Sequence, residues 1–170
     1  MGSTVLGIDP GSRRTGWGIV KEESGTLSLV DCGIVIPELS GNAGKNFSVR
    51  LASIYHALCE ILKTHAVEAA AIEAVFTARN PASAIKLGQA RGVAVAACAA
   101  FNLPVSDYEP TLVKQAIVGT GRADKEQVAF MIGKLLNINA LNMKLDTTDA
   151  LAVAICHLSR ARLERLVRLA

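Results

Sequence analysis

Thr4-Val5-Leu6-Gly7-Ile8-Asp9-Pro10-Gly11 is the stretch on which the fold turns. A short apolar run with β-branched members predicts a buried strand, and Asp9-Pro10-Gly11 predicts the turn that ends it. Residues 16–21 and 26–36 read as two more strands joined near Ser24-Gly25, so a three-stranded antiparallel meander opens the chain. Phe47, Leu51, Ile54, Leu58 and Ile61 then recur at helical spacing, predicting an amphipathic helix to about His65. Residues 68–73 form an apolar run of the kind covered on both faces of a sheet. Asn80-Pro81 is a helix start, with Asn as cap and Pro in the first turn, and that helix should reach about Phe101. Residues 103–108 read as a fifth strand, followed by short helices over 111–118 and 125–136. Asp146 is expected to open a last helix whose apolar side carries Leu151, Ile155, Leu158 and Leu166. This order predicts one α/β domain over residues 1–170 with a mixed five-stranded sheet.

Composition narrows the class. Hydrophobic residues make up 51 % of the 170, but only one Trp, two Tyr and four Phe are among them, so aliphatic and alanine packing must dominate the core. No apolar stretch approaches the roughly 18 residues of a membrane helix. A strand beginning at Thr4 leaves no space for a signal sequence, so a cytoplasmic location is expected, with no membrane partner. Cys32, Cys59, Cys98 and Cys156 are far apart among apolar neighbours and lack zinc-site spacing, which predicts free buried thiols. Net charge is only +3, yet with four of the fifteen acidic residues committed to a centre, eighteen basic residues face eleven acidic ones. That balance suits a polyanionic substrate.

The acidic residues that matter close elements. Asp9 ends the first strand and Glu73 the fourth, each after an apolar run. Each alone also reads as a turn opener, although a carboxylate flanked by buried strand needs a partner. Asp146 and Asp149, three apart at a helix start, share a face; the same spacing also reads as a capping box suited to the helix dipole. Taken together, four carboxylates without Cys or His form a hard oxygen set that suits Mg²⁺ or Mn²⁺ rather than zinc.

Several blocks resemble the RuvC family of Holliday-junction resolvases. Gly7-Ile8-Asp9-Pro10-Gly11-Ser12 with Thr15-Gly16-Trp17-Gly18 is similar to its opening motif, and Ala71-Ile72-Glu73-Ala74-Val75-Phe76 with residues 78–80 and 84–92 to its central block. Val113-Lys114-Gln115 with residues 119–125 matches its basic segment, and Asp146-Thr147-Thr148-Asp149-Ala150-Leu151-Ala152 its terminal carboxylate motif. The likeness runs from residue 5 to about 158, with threonines at 147 and 148 where alanine is usual. It implies a ribonuclease-H-like fold with helices on both faces of the sheet. It also implies a homodimeric endonuclease of DNA recombination and repair that nicks four-way DNA junctions symmetrically, with two metal ions per site and RuvA and RuvB as branch-migration partners. Asp9, Glu73, Asp146 and Asp149 would carry the metals, Lys114 and Lys125 would lie near the scissile phosphate, and Phe76 would stack on junction bases. Arg79, Lys86 and Arg91 are further expected DNA contacts.

Other residues read as structure. Trp17 lies within a strand pattern and should pack, and Arg160, Arg162, Arg165 and Arg168 read as a solvated basic face. The small-residue helix from Pro81 admits a close neighbour, its own sheet or, by resemblance, a second copy. Two rival functions share parts of the pattern: a related ribonuclease-H-like nuclease acting on RNA, and an actin-like ATP-binding domain. The second needs another domain to close over nucleotide. A catalytically silent junction-binding module is a third, against which the intact carboxylates argue.

Overall fold

Ser24 and Gly25 both take positive φ, 51° and 85°, and so make the two-residue turn that lets a hairpin keep its twist. The strands on either side are β2 (Thr15–Glu23) and β3 (Thr26–Val35), and β2 also pairs antiparallel with β1 (Ser3–Asp9). In this computed structural model residues 2–37, 46–74 and 80–169 are described. The meander is therefore the one read from the sequence, with β2 longer at both ends.

Two parallel strands complete the sheet. β4 (Ala69–Glu73) lies beside β1 and β5 (Val105–Tyr108) beside β4, in the order β3-β2-β1-β4-β5. Five helices cover it: α1 (Phe47–Thr64), α2 (Pro81–Ala100), α3 (Pro110–Val118), α4 (Lys125–Leu136) and α5 (Leu145–Leu169). The sheet separates two cores. Leu6, Ile8, Ile19, Ala70 and Ile72 point toward α1 and α2, where Ile54, Leu58, Ala90 and Ala94 are buried. Val5, Val20 and Ala71 point the other way, toward Val113, Ile132, Leu151 and Ile155 of α3, α4 and α5. The helices do lie on both faces.

The last helix departs from expectation. Ala150 to Cys156 are buried on every side, so the first half of α5 is a central core helix and not an amphipathic one. Leu166 is 56 % exposed and belongs to no apolar seam. Glycines admit this helix to the sheet. A Cβ on Gly7 would strike the Ala150 carbonyl and Ala154, one on Gly16 the Asp146 backbone, and one on Gly18 the Leu151 side chain. Farther along, Arg165 donates to buried Glu22 at 2.9 Å and the Arg162 guanidinium sits against Gly25. Two of the arginines expected to be merely solvated thus clamp the β2–β3 hairpin to α5. Trp17 packs as expected, its indole against Gly33 and its ring 6.3 Å from that of His65. The four cysteines are free, and three of them are buried. Among the described residues no helix is long and apolar enough to cross a membrane.

Candidate active site

Strand alternation decides where the first two carboxylates point. Val5 and Ala71 face the α5 side of the sheet, so two-residue periodicity turns Asp9 and Glu73 to that same side. Ile8 pairs with Ile72 in the parallel register of β1 and β4, which sets Asp9 and Glu73 next to one another at the end of both strands. Across β1, Asp9 is opposite Gly16, and Gly16 is the glycine against which the Asp146 backbone rests. The start of α5 is thereby held beside Asp9. One helical turn along, Asp149 follows on the same face.

The helix begins at Leu145, one residue earlier than expected, so Asp146 lies inside the first turn and is not the cap. The amides of Thr147 and Thr148 bond the Lys144 carbonyl, at 3.0 and 3.2 Å. Both threonine hydroxyls are buried and satisfied: Thr147 donates to the Gly33 carbonyl on β3, and Thr148 to the Leu145 carbonyl at 2.9 Å. Asp149 caps nothing either. It accepts from Lys125 Nζ at 3.0 Å. Lys125 is the first residue of α4, whose start is fixed by a reciprocal capping box between Asp124 and Gln127.

Electrostatics mark the cluster as strained. Burial, then the charges of Glu73 and Asp149, push the Asp9 carboxyl up from an ordinary 3.8 to about 8, and a hydrogen bond to Glu73 and the charge of Asp146 add to this. Glu73 is also raised, by burial and by Asp149, and is partly relieved by the bond from Asp9 and by Lys125 and Lys114. Crowding and burial therefore favour the protonated form of Asp9, which donates to Glu73. Burial pulls the Lys125 ammonium down, but its bond to Asp149 and the charges of Asp149, Asp9 and Glu73 outweigh this and leave it raised.

Six expected site residues thus share one neighbourhood: Asp9 bonds Glu73 and feels the charges of Asp146 and Asp149, and Lys114 and Lys125 act on the same group electrostatically. Other expected contacts separate from this group. Arg91 pairs with Asp107 of β5, an ion pair that a DNA phosphate would have to displace. Lys86 lies on α2, where it lines a separate cavity with Arg50 and Arg13. Phe76 and Arg79 fall outside the described residues. Among the described residues no three acidic, His or Cys side chains are drawn in on one common point. The donor set nevertheless fits a hard cation, because its four carboxylates are all oxygen and two of them are pushed up by burial and by neighbouring negative charge.

A twisted mixed sheet with carboxylates gathered from β1, β4 and the start of a buried helix defines a nuclease of the ribonuclease-H-like class. Residues 5–157 match the family described as crossover junction endodeoxyribonuclease RuvC. The chain belongs to the RuvC family, whose members are metal-dependent nucleases. It is 60 % identical to the RuvC of Oleidesulfovibrio alaskensis over 97 % of this chain and 96 % of that protein. It is 46 % identical to that of Geobacter metallireducens, over 96 % of this chain and 97 % of that one. Among solved structures, Thermus thermophilus RuvC in complex with a Holliday junction substrate superposes with a TM-score of 0.86 at 32 % identity, covering 95 % of this chain and 96 % of that one. The family match sets aside the actin-like alternative.

Proposed function

We propose that the chain resolves four-way DNA junctions as a homodimer, each protomer hydrolysing one phosphodiester at the Asp9, Glu73, Asp146 and Asp149 centre. The observation that carries this reading is the electrostatic neighbourhood that Asp9 shares with Glu73, Asp146 and Asp149 on the α5 side, with Asp9 raised to about 8. All four would hold Mg²⁺ or Mn²⁺, two ions per site. When bound, such ions supply a water of lowered pKa and Lewis-acid stabilisation of the leaving oxygen.

The chain's own groups do the rest. Asp9, raised by burial and by its acidic neighbours, would release its proton as cation binding neutralises their repulsion. Lys125, anchored at the α4 start, holds Asp149 in place and keeps donors free for a non-bridging phosphate oxygen. Lys114 adds positive charge from α3. Phe76 and Arg79 are assigned to the junction bases and backbone on family grounds, and RuvA and RuvB likewise as branch-migration partners. A two-fold junction suits a two-fold enzyme. The homodimer reading is supported by α2, where Ile85 is 63 % exposed and, among the described residues, nothing approaches Gly88 or Gly92. Ala90, Ala94 and Ala97 of this helix are spent on its own sheet, but the exposed positions Gly88 and Gly92 are not.

The test is cleavage of a synthetic four-way junction, a linear duplex and an RNA–DNA hybrid with Mg²⁺. Paired nicks in the junction alone are expected, lost in Asp9→Asn and Asp146→Asn while junction binding persists. Preferential cutting of the hybrid would instead assign an RNA-directed nuclease.

A further inference from the structure

We infer that a second phosphate site lies beside the catalytic centre, where the β1–β2 loop meets the starts of α1 and α2, and that it holds a non-scissile phosphate of the bound DNA strand. Ser12, Arg13, Arg50, Ser83 and Lys86 line a cavity of about 220 Å³ there. Each wall has a reason to be where it is. The Thr15 hydroxyl, buried, donates to the Gly11 carbonyl at 2.8 Å and fixes the loop that carries Ser12 and Arg13. Phe47 opens α1, and its ring lies 5.0 Å from the Arg50 guanidinium carbon and 6.0 Å from Lys86 Nζ, steadying both cations. Asn80 caps α2 by accepting from the Ala82 amide, which places Ser83 in the first turn with the positive end of the helix dipole behind it.

The chemistry of the wall calls for an anion. Arg13, Arg50 and Lys86 have no carboxylate partner among the described residues, so three cations face one space without compensation. Arg50 Nε is buried and finds no hydrogen-bond acceptor among the described residues. Buried guanidinium donors are normally satisfied. Two serine hydroxyls add donors that a phosphate can use and a carboxylate-free wall leaves open.

Position selects the ligand. Arg13 follows Asp9 by four residues, so at most about 14 Å of extended chain separates them. That span is about four nucleotide rises along one strand. A DNA strand lying at the carboxylates therefore brings its own phosphates within reach. The site extends the DNA-binding reading above, and differs from a diffuse basic surface in that its cations share one phosphate.

Salt dependence of junction affinity tests this, measured on an Asp9→Asn background so that no cleavage intervenes. One phosphate contact contributes about 0.9 to the slope of log affinity against log salt. Arg50→Gln, Arg13→Gln with Lys86→Gln, and all three together should each lower the slope by about 0.9, without adding. Arg50→Lys should keep the slope and lose affinity. An unchanged slope in all variants would overturn the site. So would a loss of about 2.7 in the triple variant, which means three separate phosphates. Arg13 and Lys86 are exposed, so their double variant decides the matter if Arg50→Gln does not fold. Cleavage by the Asp9→Asn parent would break the catalytic assignment and leave the slopes untouched.

Discussion

Two sets of glycines do opposite things in this molecule. Gly7, Gly16 and Gly18, in β1 and β2, sit where any side chain would enter the backbone or core of α5. Gly88 and Gly92, in α2, sit where a side chain would meet nothing among the described residues. The first set brings a buried helix close enough for Asp146 and Asp149 to join Asp9 and Glu73. The second leaves a helix face that the fold does not use. A glycine in the sequence therefore signals a close approach only in some places, and the approach can be internal or left for another molecule.

The largest effect should come from closing the internal approach. Gly16→Ala forces the Asp146 backbone away, so we expect a stability loss of about 3 kcal/mol, at the upper end of overpacking, together with loss of cleavage. Gly7→Ala, which meets Ala150 and Ala154, should destabilise comparably. Chemical denaturation beside a nicking assay checks both. Full activity in Gly16→Ala would mean that the α5 start is free to shift.

A smaller effect concerns what the close approach crowds together. Because Asp9 titrates near 8 in the fold and near 3.8 unfolded, the folded state keeps a proton that the unfolded chain has already released. Stability contributed at low pH is thus lost as pH rises from about 4 toward 8. Asp9→Asn should stabilise the protein in EDTA by about 2–4 kcal/mol at pH 7.5 and by little near pH 4. Added Mg²⁺ should raise the wild-type melting temperature more than that of the variant. Equal stabilisation at both pH values would show that crowding is not the cause.

The smallest effect belongs to the open face. Gly88→Ala should stabilise the dilute protein by about 0.5–1 kcal/mol, since a helix interior favours alanine. A fall in stability would show that something covers the face even in a single chain. Sedimentation across a concentration range then tests the homodimer, with Gly88→Leu expected to shift it toward monomer.

Much of this was legible because the fold is locally consistent. Alternation and apolar runs located β1, β4 and β5, and Asn80-Pro81 located the start of α2. Asp9 and Glu73 stood out as carboxylates against buried strands. What local pattern does not carry is tertiary proximity. Nothing in Asp146-Thr147-Thr148-Asp149 separates a cap from a ligand; the Lys144 carbonyl takes the helix start and frees both aspartates. Likewise Arg91 looks as available as Arg50 in sequence, yet one meets Asp107 and the other meets no partner among the described residues. Of the second phosphate site only Lys86 was expected to meet DNA, and no local pattern joins it to Arg13 and Arg50.

Trp17 has a use of its own. It is the chain's single tryptophan, it pairs with Ile8 in the sheet, and it neighbours the glycine on which the Asp146 backbone rests. Indole emission responds to local polarity and to nearby charge, and this ring lies beside His65, which bonds Asp31. The protein therefore carries an intrinsic fluorophore one residue from the seam between sheet and catalytic helix. Its emission is expected to change when that helix is unseated, without a label.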